Sequence, residues 1–173
     1  MNEFLPQLIQ QLFNGLSLGA IYALIAIGYT MVYGIIGMIN FAHGEIYMIG
    51  GYVGLVTLSA VGTQSGLPIW MVIGLMLVVA VFITGLYGFA IEQVAYKPLR
   101  GSPRLVPLIS AIGMSIFLQN WVALGQGARD MAVPALLPGA LRFGDGSGFE
   151  IFVPYARILI IVVTVVLMIA VAL

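Results

Sequence analysis

Long apolar runs constrain this chain more than any other feature of its sequence. The first run covers residues 8–39, which exceeds the roughly 20 residues that an α-helix needs to cross a bilayer. It predicts either one long, tilted helix or a span that breaks at Gly34 or Gly37. Only 7% of the 173 residues are charged and 62% are hydrophobic, whereas soluble domains carry about 25% charged residues. The sequence therefore predicts an integral membrane protein.

Further apolar runs follow the first, separated by turn-forming or polar residues. They cover residues 46–62, 69–93, 105–124 and 154–173. Residues 63–68 (TQSGLP) are predicted to be a loop, and residues 126–153 form a polar stretch that contains glycine and proline. We expect an all-α, polytopic membrane helix bundle with about five spans in one domain, residues 1–173. Its first two spans should be joined by a Gly-rich polar break.

The basic residues indicate an orientation for these spans. Three of them, with no acid, lie between the third and fourth runs: Lys97, Arg100 and Arg104. Positive charge in short loops marks the cytoplasmic side, which places residues 94–105 inside and the N-terminus and residues 126–153 outside. Trp70 and Trp121 then lie at the outer interface, where amphipathic rings settle. The last run is still apolar at Leu173, so we expect the chain to be truncated.

One short stretch, INFAHGEIYMIGG at residues 39–51, combines polar groups with glycines. It holds Asn40, the only histidine, His43, and Glu45. On a helix, Asn40 and His43 would share a face, whereas His43 and Glu45 would not. Ionisable groups within an apolar run usually line a bundle interior or a water-filled path. The alternative is that these groups satisfy freed backbone amides at a helix break close to the cytoplasmic interface.

Glycines in the apolar runs are the second feature that indicates either close helix packing or a helix break. Two pairs have GxxxG spacing and three more glycines cluster around the polar stretch: Gly15 and Gly19, Gly50 and Gly54, and Gly34, Gly37 and Gly51. Small residues let helix backbones approach closely, which favours packing within a bundle. The other interpretation is a broken helix whose exposed backbone meets a substrate, as in many transporters, with the break permitted by Gly34, Gly37, Gly44 and Gly50.

Several kinds of chemistry find no support in the sequence. The absence of cysteine and of a second histidine argues against a metal site, and a net charge of zero gives no patch for nucleic acid. No phosphate-binding G-x-x-x-x-G-K-[ST] motif occurs, and GDGSG at residues 144–148 has no predicted strand before it or helix after it. A stand-alone channel or secondary transporter would need Glu45 or Glu92 as an ion-coupling carboxylate.

Two long segments carry a family resemblance. NGLSLGAIYALIAIGYTMVYGIIGMINFAHGEIYMIGGYV and AYKPLRGSPRLVPLISAIGMSIFLQN closely resemble the H-type permease subunit of branched-chain amino-acid ABC importers. The likeness covers residues 13–120 and is most specific in INFAHGE and YKPLRGSPRL. Permeases for urea and short amides look similar over the same segments, so the resemblance indicates the transporter class better than the solute.

The resemblance implies a membrane subunit of the bacterial inner membrane that forms half of a translocation path. Its partners would be a second, homologous permease, two cytoplasmic ATPase subunits that bind ATP and magnesium, and a periplasmic amino-acid-binding protein. This chain itself would bind no cofactor. The cytoplasmic loop that couples such permeases to the ATPase is not found before Leu173. Within this family, we expect Asn40, His43 and Glu45 to line or brace the inner end of the path.

Overall fold

A computed structural model describes residues 4–37, 39–62, 66–103, 105–127, 131, 133, 136–137, 139–143 and 151–172. It contains five α-helices and one pair of strands: α1 (Phe4–Ile36), α2 (His43–Thr57), α3 (Ile69–Ile91), α4 (Leu105–Gln126), β1 (Ala140–Phe143), β2 (Ile151–Pro154) and α5 (Tyr155–Ala172). Arg104, one of the three basic residues of the predicted loop, lies outside the described residues.

Four helical segments in the described part of the chain are long and apolar enough to cross a membrane: Gln7–Ile35, His43–Gly62, Ile69–Leu99 and Leu105–Gln126. A fifth apolar helix, Tyr155–Val171, is shorter. Between 6% and 11% of each spanning window is buried, so lipid or other subunits must cover the remaining apolar surface. The predicted all-α, polytopic membrane architecture is confirmed.

Two compact units divide the chain, and α1 contributes to both. One unit combines Met1–Gly28 with Pro134–Leu173, and the other is Tyr29–Val133. In the second unit α2 packs against both α3 and α4. Its core consists of small and branched apolar residues with one tyrosine: Ala42, Ile49, Ile91, Ala95, Tyr96, Ala111 and Leu118.

The first apolar run breaks at Gly37, which was one of the two positions that the sequence suggested. α1 ends at Ile36, and Gly37 has a φ of 73°. This left-handed conformation costs residues with a Cβ atom about 1–2 kcal/mol, whereas glycine adopts it freely. The Gly37 N–H donates to the Tyr33 carbonyl at 2.8 Å, which satisfies one of the terminal carbonyls of the helix.

The α2–α3 contact includes the second of the two GxxxG pairs. A Cβ atom added to Gly50 would lie 3.2 Å from Thr84 Cγ2, and one added to Gly54 would lie 3.6 Å from Met76 Cε. A Cβ atom added to any of three glycines of α1 would have no described atom within 4 Å outside the neighbouring backbone of its own helix: Gly15, Gly19 and Gly34. The structure therefore places the α2 pair against a neighbouring helix and leaves the faces of the α1 glycines open.

Wider and tighter turns extend two of the helices. α2 continues as a π-helical turn over Leu58–Gly62, and α3 continues as a π-helical turn over Glu92–Tyr96 followed by a 3₁₀ turn over Lys97–Leu99. Of the predicted loop 63–68, the described residues 66–68 are non-helical. The α3 extension matters because Tyr96 belongs to it and enters the core.

The strands lie in the other unit, where they pair antiparallel with Ala140 opposite Pro154. Because β1 ends directly before residues 144–148, the expectation that no strand precedes GDGSG was wrong. Four-residue strands show too little alternation to be found in sequence. The segment is followed by β2 and not by a helix, so a phosphate-binding strand–loop–helix arrangement is still not formed.

Candidate functional site

Asn40 is a buried connection between the start of α2 and the end of α3. Its side-chain Oδ1 accepts hydrogen bonds from the Ala42 N–H at 3.0 Å and from the Tyr96 hydroxyl at 2.5 Å. Its own carbonyl accepts the His43 N–H at 3.1 Å. Asn40 precedes the helix, so it does not share a helical face with His43. The asparagine fixes the turn from which α2 begins.

His43 is the first residue of α2 and contacts the first helix of the chain. Its imidazole lies edge-on to the Tyr29 ring, with centroids 4.8 Å apart and an interplanar angle of 61°. This is a favourable aromatic arrangement. The Tyr29 hydroxyl also lies 3.7 Å from the position that a Cβ atom on Gly44 would occupy. His43 and Gly44 together connect the start of α2 to α1.

Glu45 connects the start of α2 to α4. Its Oε1 accepts hydrogen bonds from Ser115 Oγ at 2.9 Å and from Gln119 Nε2 at 2.7 Å. Both donors are neutral side chains. Because Glu45 lies in the first turn of α2, its negative charge also interacts favourably with the N-terminal end of the helix dipole.

The contacts of Glu45 lie far along α4 from the beginning of that helix. Ser115 and Gln119 are ten and fourteen residues beyond Leu105, where the 22-residue helix begins. At 1.5 Å per residue, these positions are about 15 Å and about 21 Å along the helix axis. The carboxylate therefore meets α4 near its midpoint. The polar stretch itself begins beside the basic turn, where Asn40 bonds to Tyr96.

The three polar residues do not form one cluster. Asn40 contacts the end of α3, His43 contacts α1 and Glu45 contacts α4, so each fixes the same helix start to a different neighbour. Among the described residues, no group of three His, Cys, Asp or Glu side chains is close enough to hold a metal ion. The arrangement suits a braced helix break.

A cleft of 680 Å³ opens beside the break, at the end of α3 and the beginning of α4. The break residues Gly37 and Ile39 line it, together with Tyr96. Glu92 and Arg100 also line it and form an ion pair with each other. Lys97 donates a hydrogen bond to Gln93 at 2.9 Å instead of entering the cleft. These two charges therefore neutralise each other.

A second cavity, of 540 Å³, has mostly apolar walls and lies among α2, α3 and α4. Val53, Val79 and Val122 are typical of its lining. Trp121, from the end of α4, also lines it and stacks on Phe117 with ring centroids 6.2 Å apart. This cavity brings together none of the predicted polar site residues.

Sequence reasoning missed the partners of the polar stretch. Ser115 and Gln119 are four residues apart, so they share one face of α4, and two polar residues on one face of an apolar span were a signal that could have identified them. Tyr29 and Tyr96 gave no such signal, because tyrosine is common in membrane helices. The other unit also contains an unforeseen contact: the Gln10 side-chain amide pairs with both backbone groups of Phe152, at 2.9 Å and 3.0 Å.

The apolar spans and the braced polar break define the class to which the chain belongs, that of multi-pass membrane proteins. Residues 11–173 match the family described as branched-chain amino acid transport system, permease component. The chain belongs to this family and is a component of a transporter. No solved structure matches it.

Relatives with assigned names match almost the whole chain. It is 54% identical over 162 residues to the high-affinity branched-chain amino acid transport system permease protein BraD of Pseudomonas aeruginosa, covering 92% of this chain and 52% of BraD. It is 50% identical over 173 residues to the corresponding permease protein LivH of Escherichia coli K12, covering 98% of this chain and 55% of LivH. The chain spans about half the length of these curated relatives.

Proposed function

We propose that this chain is the N-terminal part, residues 1–173, of a single transmembrane permease domain in an ATP-driven importer of branched-chain amino acids. The identity of about one half to BraD and LivH, both named as branched-chain amino acid permease proteins, carries the proposal. The apolar spans and the scarcity of charge agree with a subunit that conducts a solute and does no chemistry on it.

The same proposal gives the chain its partners and its orientation. The subunit lies in the bacterial inner membrane with its N-terminus outside and the turn containing Lys97 and Arg100 in the cytoplasm. A second, homologous permease completes the path, two ATPase subunits hold ATP and magnesium, and a periplasmic protein delivers the amino acid. The large exposed apolar surface of the spans supports contact with lipid and with another membrane subunit.

In this function, Asn40, His43 and Glu45 hold a helix break in place beside the translocation path. A path that alternates between open and closed states needs a rigid element against which its gate can move. The contacts with α1, the end of α3 and α4 fix the start of α2 on three sides. Few fixed charges suit the task, because a conductor must release the zwitterion that it has just accepted.

Uptake by the reconstituted complex tests the proposal. The complete gene product would be assembled in liposomes with its partner permease, ATPases and binding protein, and labelled leucine would be supplied. We expect ATP-dependent uptake that valine inhibits and that urea and ribose leave unchanged. Inhibition by urea would indicate that the protein is a urea or short-amide permease. Uptake without ATP and binding protein, but dependent on an ion gradient, would contradict the importer and favour a secondary transporter.

A further inference from the structure

We propose that Glu45, together with Ser115 and Gln119, forms a water-accessible site in the translocation path that binds the ammonium group of the passing amino acid. This inference rests on the proposed function, and it adds two residues of α4 and a chemical role for the carboxylate. Three observations carry it: the position of Glu45 along α4, the chemistry of its partners and the exposure of Gln119.

The position of Glu45 makes a purely lipid-facing carboxylate unfavourable. Its partners lie about 15–21 Å along α4 from Leu105. Ser115 and Gln119 lie about 17 Å and about 11 Å from Gln126 at the other end of the helix, so a glutamate side chain beside them does not reach either end of α4. An acidic residue at the centre of a span costs several kcal/mol unless it lies towards the bundle interior or a water-filled cavity. The position of the carboxylate beside the middle of α4 therefore favours the bundle interior or a water-filled path over lipid.

The partners of Glu45 leave its charge available. Ser115 and Gln119 donate hydrogen bonds without carrying charge, and both bonds end on Oε1. Within the described ranges, the ion pair found joins Glu92 to Arg100 and does not involve Glu45. His43, two residues earlier, lies against Tyr29. A carboxylate oxygen accepts more than one hydrogen bond, so Oε2 can accept from an ammonium group, which carries three donors.

The exposure of Gln119 leaves one side of the site uncovered by the described residues. Gln119 is exposed and Glu45 is half-buried, so the pair lies at the edge of the helix packing and not inside the core. The negative charge attracts the ammonium group and repels the carboxylate of the same zwitterion. One charged contact with neutral neighbours gives a weak site, and weak sites allow a solute to move on.

Charge-selective thiol labelling tests this site without relying on transport. The described sequence contains no cysteine, so Gln119→Cys adds a single reactive position to it, and cysteines elsewhere in the complex would be replaced. The reagents are cationic trimethylammonium-ethyl and anionic sulfonatoethyl methanethiosulfonate, with rates normalised to a free thiol. We expect the cationic reagent to react at least tenfold faster, because Glu45 concentrates cations at this position.

Two variants complete the measurement. In Gln119→Cys with Glu45→Gln, the preference for the cationic reagent should fall to less than about twofold, because the amide keeps an acceptor but carries no charge. Phe117→Cys is the matched control, since it lies at nearly the same depth on a different side of α4, and it should react at least tenfold more slowly than Gln119→Cys. Ser115→Cys repeats the test if Gln119→Cys does not assemble.

The outcomes separate this inference from the proposed function. If the thiol of Gln119→Cys does not react, or reacts without charge preference, the site is overturned even when leucine uptake is normal. A charge preference that survives Glu45→Gln also overturns it, since another group would then attract the cation. A charge preference that depends on Glu45, accompanied by slower labelling in saturating leucine, supports it. If leucine is not transported at all, the importer assignment fails whatever the labelling result.

Discussion

The two glutamates in the described part of the chain lie in opposite surroundings. Glu92, at the end of α3, forms an ion pair with Arg100, whose side chain is 68% exposed. Glu45, in the first turn of α2 and beside the middle of α4, accepts hydrogen bonds from the neutral side chains of Ser115 and Gln119. The first carboxylate has a cationic partner at a turn, and the second has neutral partners within a span. We infer that the first serves structure and that the second serves transport.

The segments around the two glutamates differ in the same way. The break segment, residues 37–45, is held by buried hydrogen bonds and by a left-handed glycine. In the turn segment, residues 92–103, Tyr96 is buried against Asn40, whereas Lys97 and Arg100 make their side-chain contacts from exposed positions. Exposed ion pairs contribute little to stability, whereas a buried polar group that loses its partner is costly. Substitutions in the two segments should therefore have effects of different size.

The largest effect on stability is expected at Asn40. Asn40→Ala leaves the Ala42 N–H and the Tyr96 hydroxyl without their acceptor in a buried region. Each unsatisfied group costs about 1–3 kcal/mol, so we expect a loss of about 2–5 kcal/mol in the free energy of unfolding. Detergent-based unfolding of the complete protein measures it. Asn40→Asp keeps an acceptor oxygen and should lose less; equal stability of Asn40→Ala and wild type would refute the bracing role.

A smaller effect is expected at the glycine that ends α1. Gly37→Ala forces a left-handed conformation on a residue with a Cβ atom and should lower the unfolding free energy by about 1–2 kcal/mol. Gly34→Ala is the matched control three residues earlier, because it lies inside α1 with no described atom within 4 Å of the added carbon. It should be neutral or stabilise by up to about 1 kcal/mol. The same unfolding assay compares the two, and equal effects would contradict a break defined by Gly37.

The smallest effect is expected in the turn segment. Arg100→Gln removes an exposed partner of Glu92 and should change the unfolding free energy by less than about 1 kcal/mol. Raising the salt concentration should reduce the difference from wild type further, because exposed charges are screened. Unfolding curves at low and high salt would measure this, with Arg100→Lys as a variant that keeps the charge. A loss of unfolding free energy as large as that of Asn40→Ala would contradict the expectation that the turn segment contributes less to stability than the break segment.

The sequence predicted the spans and the break because both are encoded locally. Hydropathy over about 20 residues identifies a membrane helix, and Gly37 lies where an apolar run meets polar residues. The partners of the break could not be found in this way. Glu45 and Ser115 are separated by 70 positions, and their contact depends on how far α4 is displaced along α2. Displacement is a property of tertiary packing and leaves no periodic pattern in a single sequence.

The strand pair and the ion pair of the basic turn also could not be predicted from the sequence. Two four-residue strands are too short for alternation to be recognised, and the Gln10 contact with Phe152 crosses 142 positions. Sequence charge alone described Lys97 and Arg100 as a cluster without acid. The π-helical turn at Glu92–Tyr96 belongs to the segment in which Glu92 pairs with Arg100. The positive charge of the turn could be read from the local sequence. Its pairing with Glu92 could be seen only in the folded structure.

The most direct test of the contrast between the two glutamates is leucine uptake by Glu45→Gln and Glu92→Gln in the same reconstituted complex. Both changes remove one charge and keep the shape of the side chain. Glu45→Gln also keeps an acceptor for Ser115 and Gln119, so its assembly should be normal. We predict that Glu45→Gln lowers uptake at least tenfold and that Glu92→Gln stays within about twofold of wild type. Equal uptake by the two variants, or a larger loss for Glu92→Gln, would contradict a transport role for Glu45.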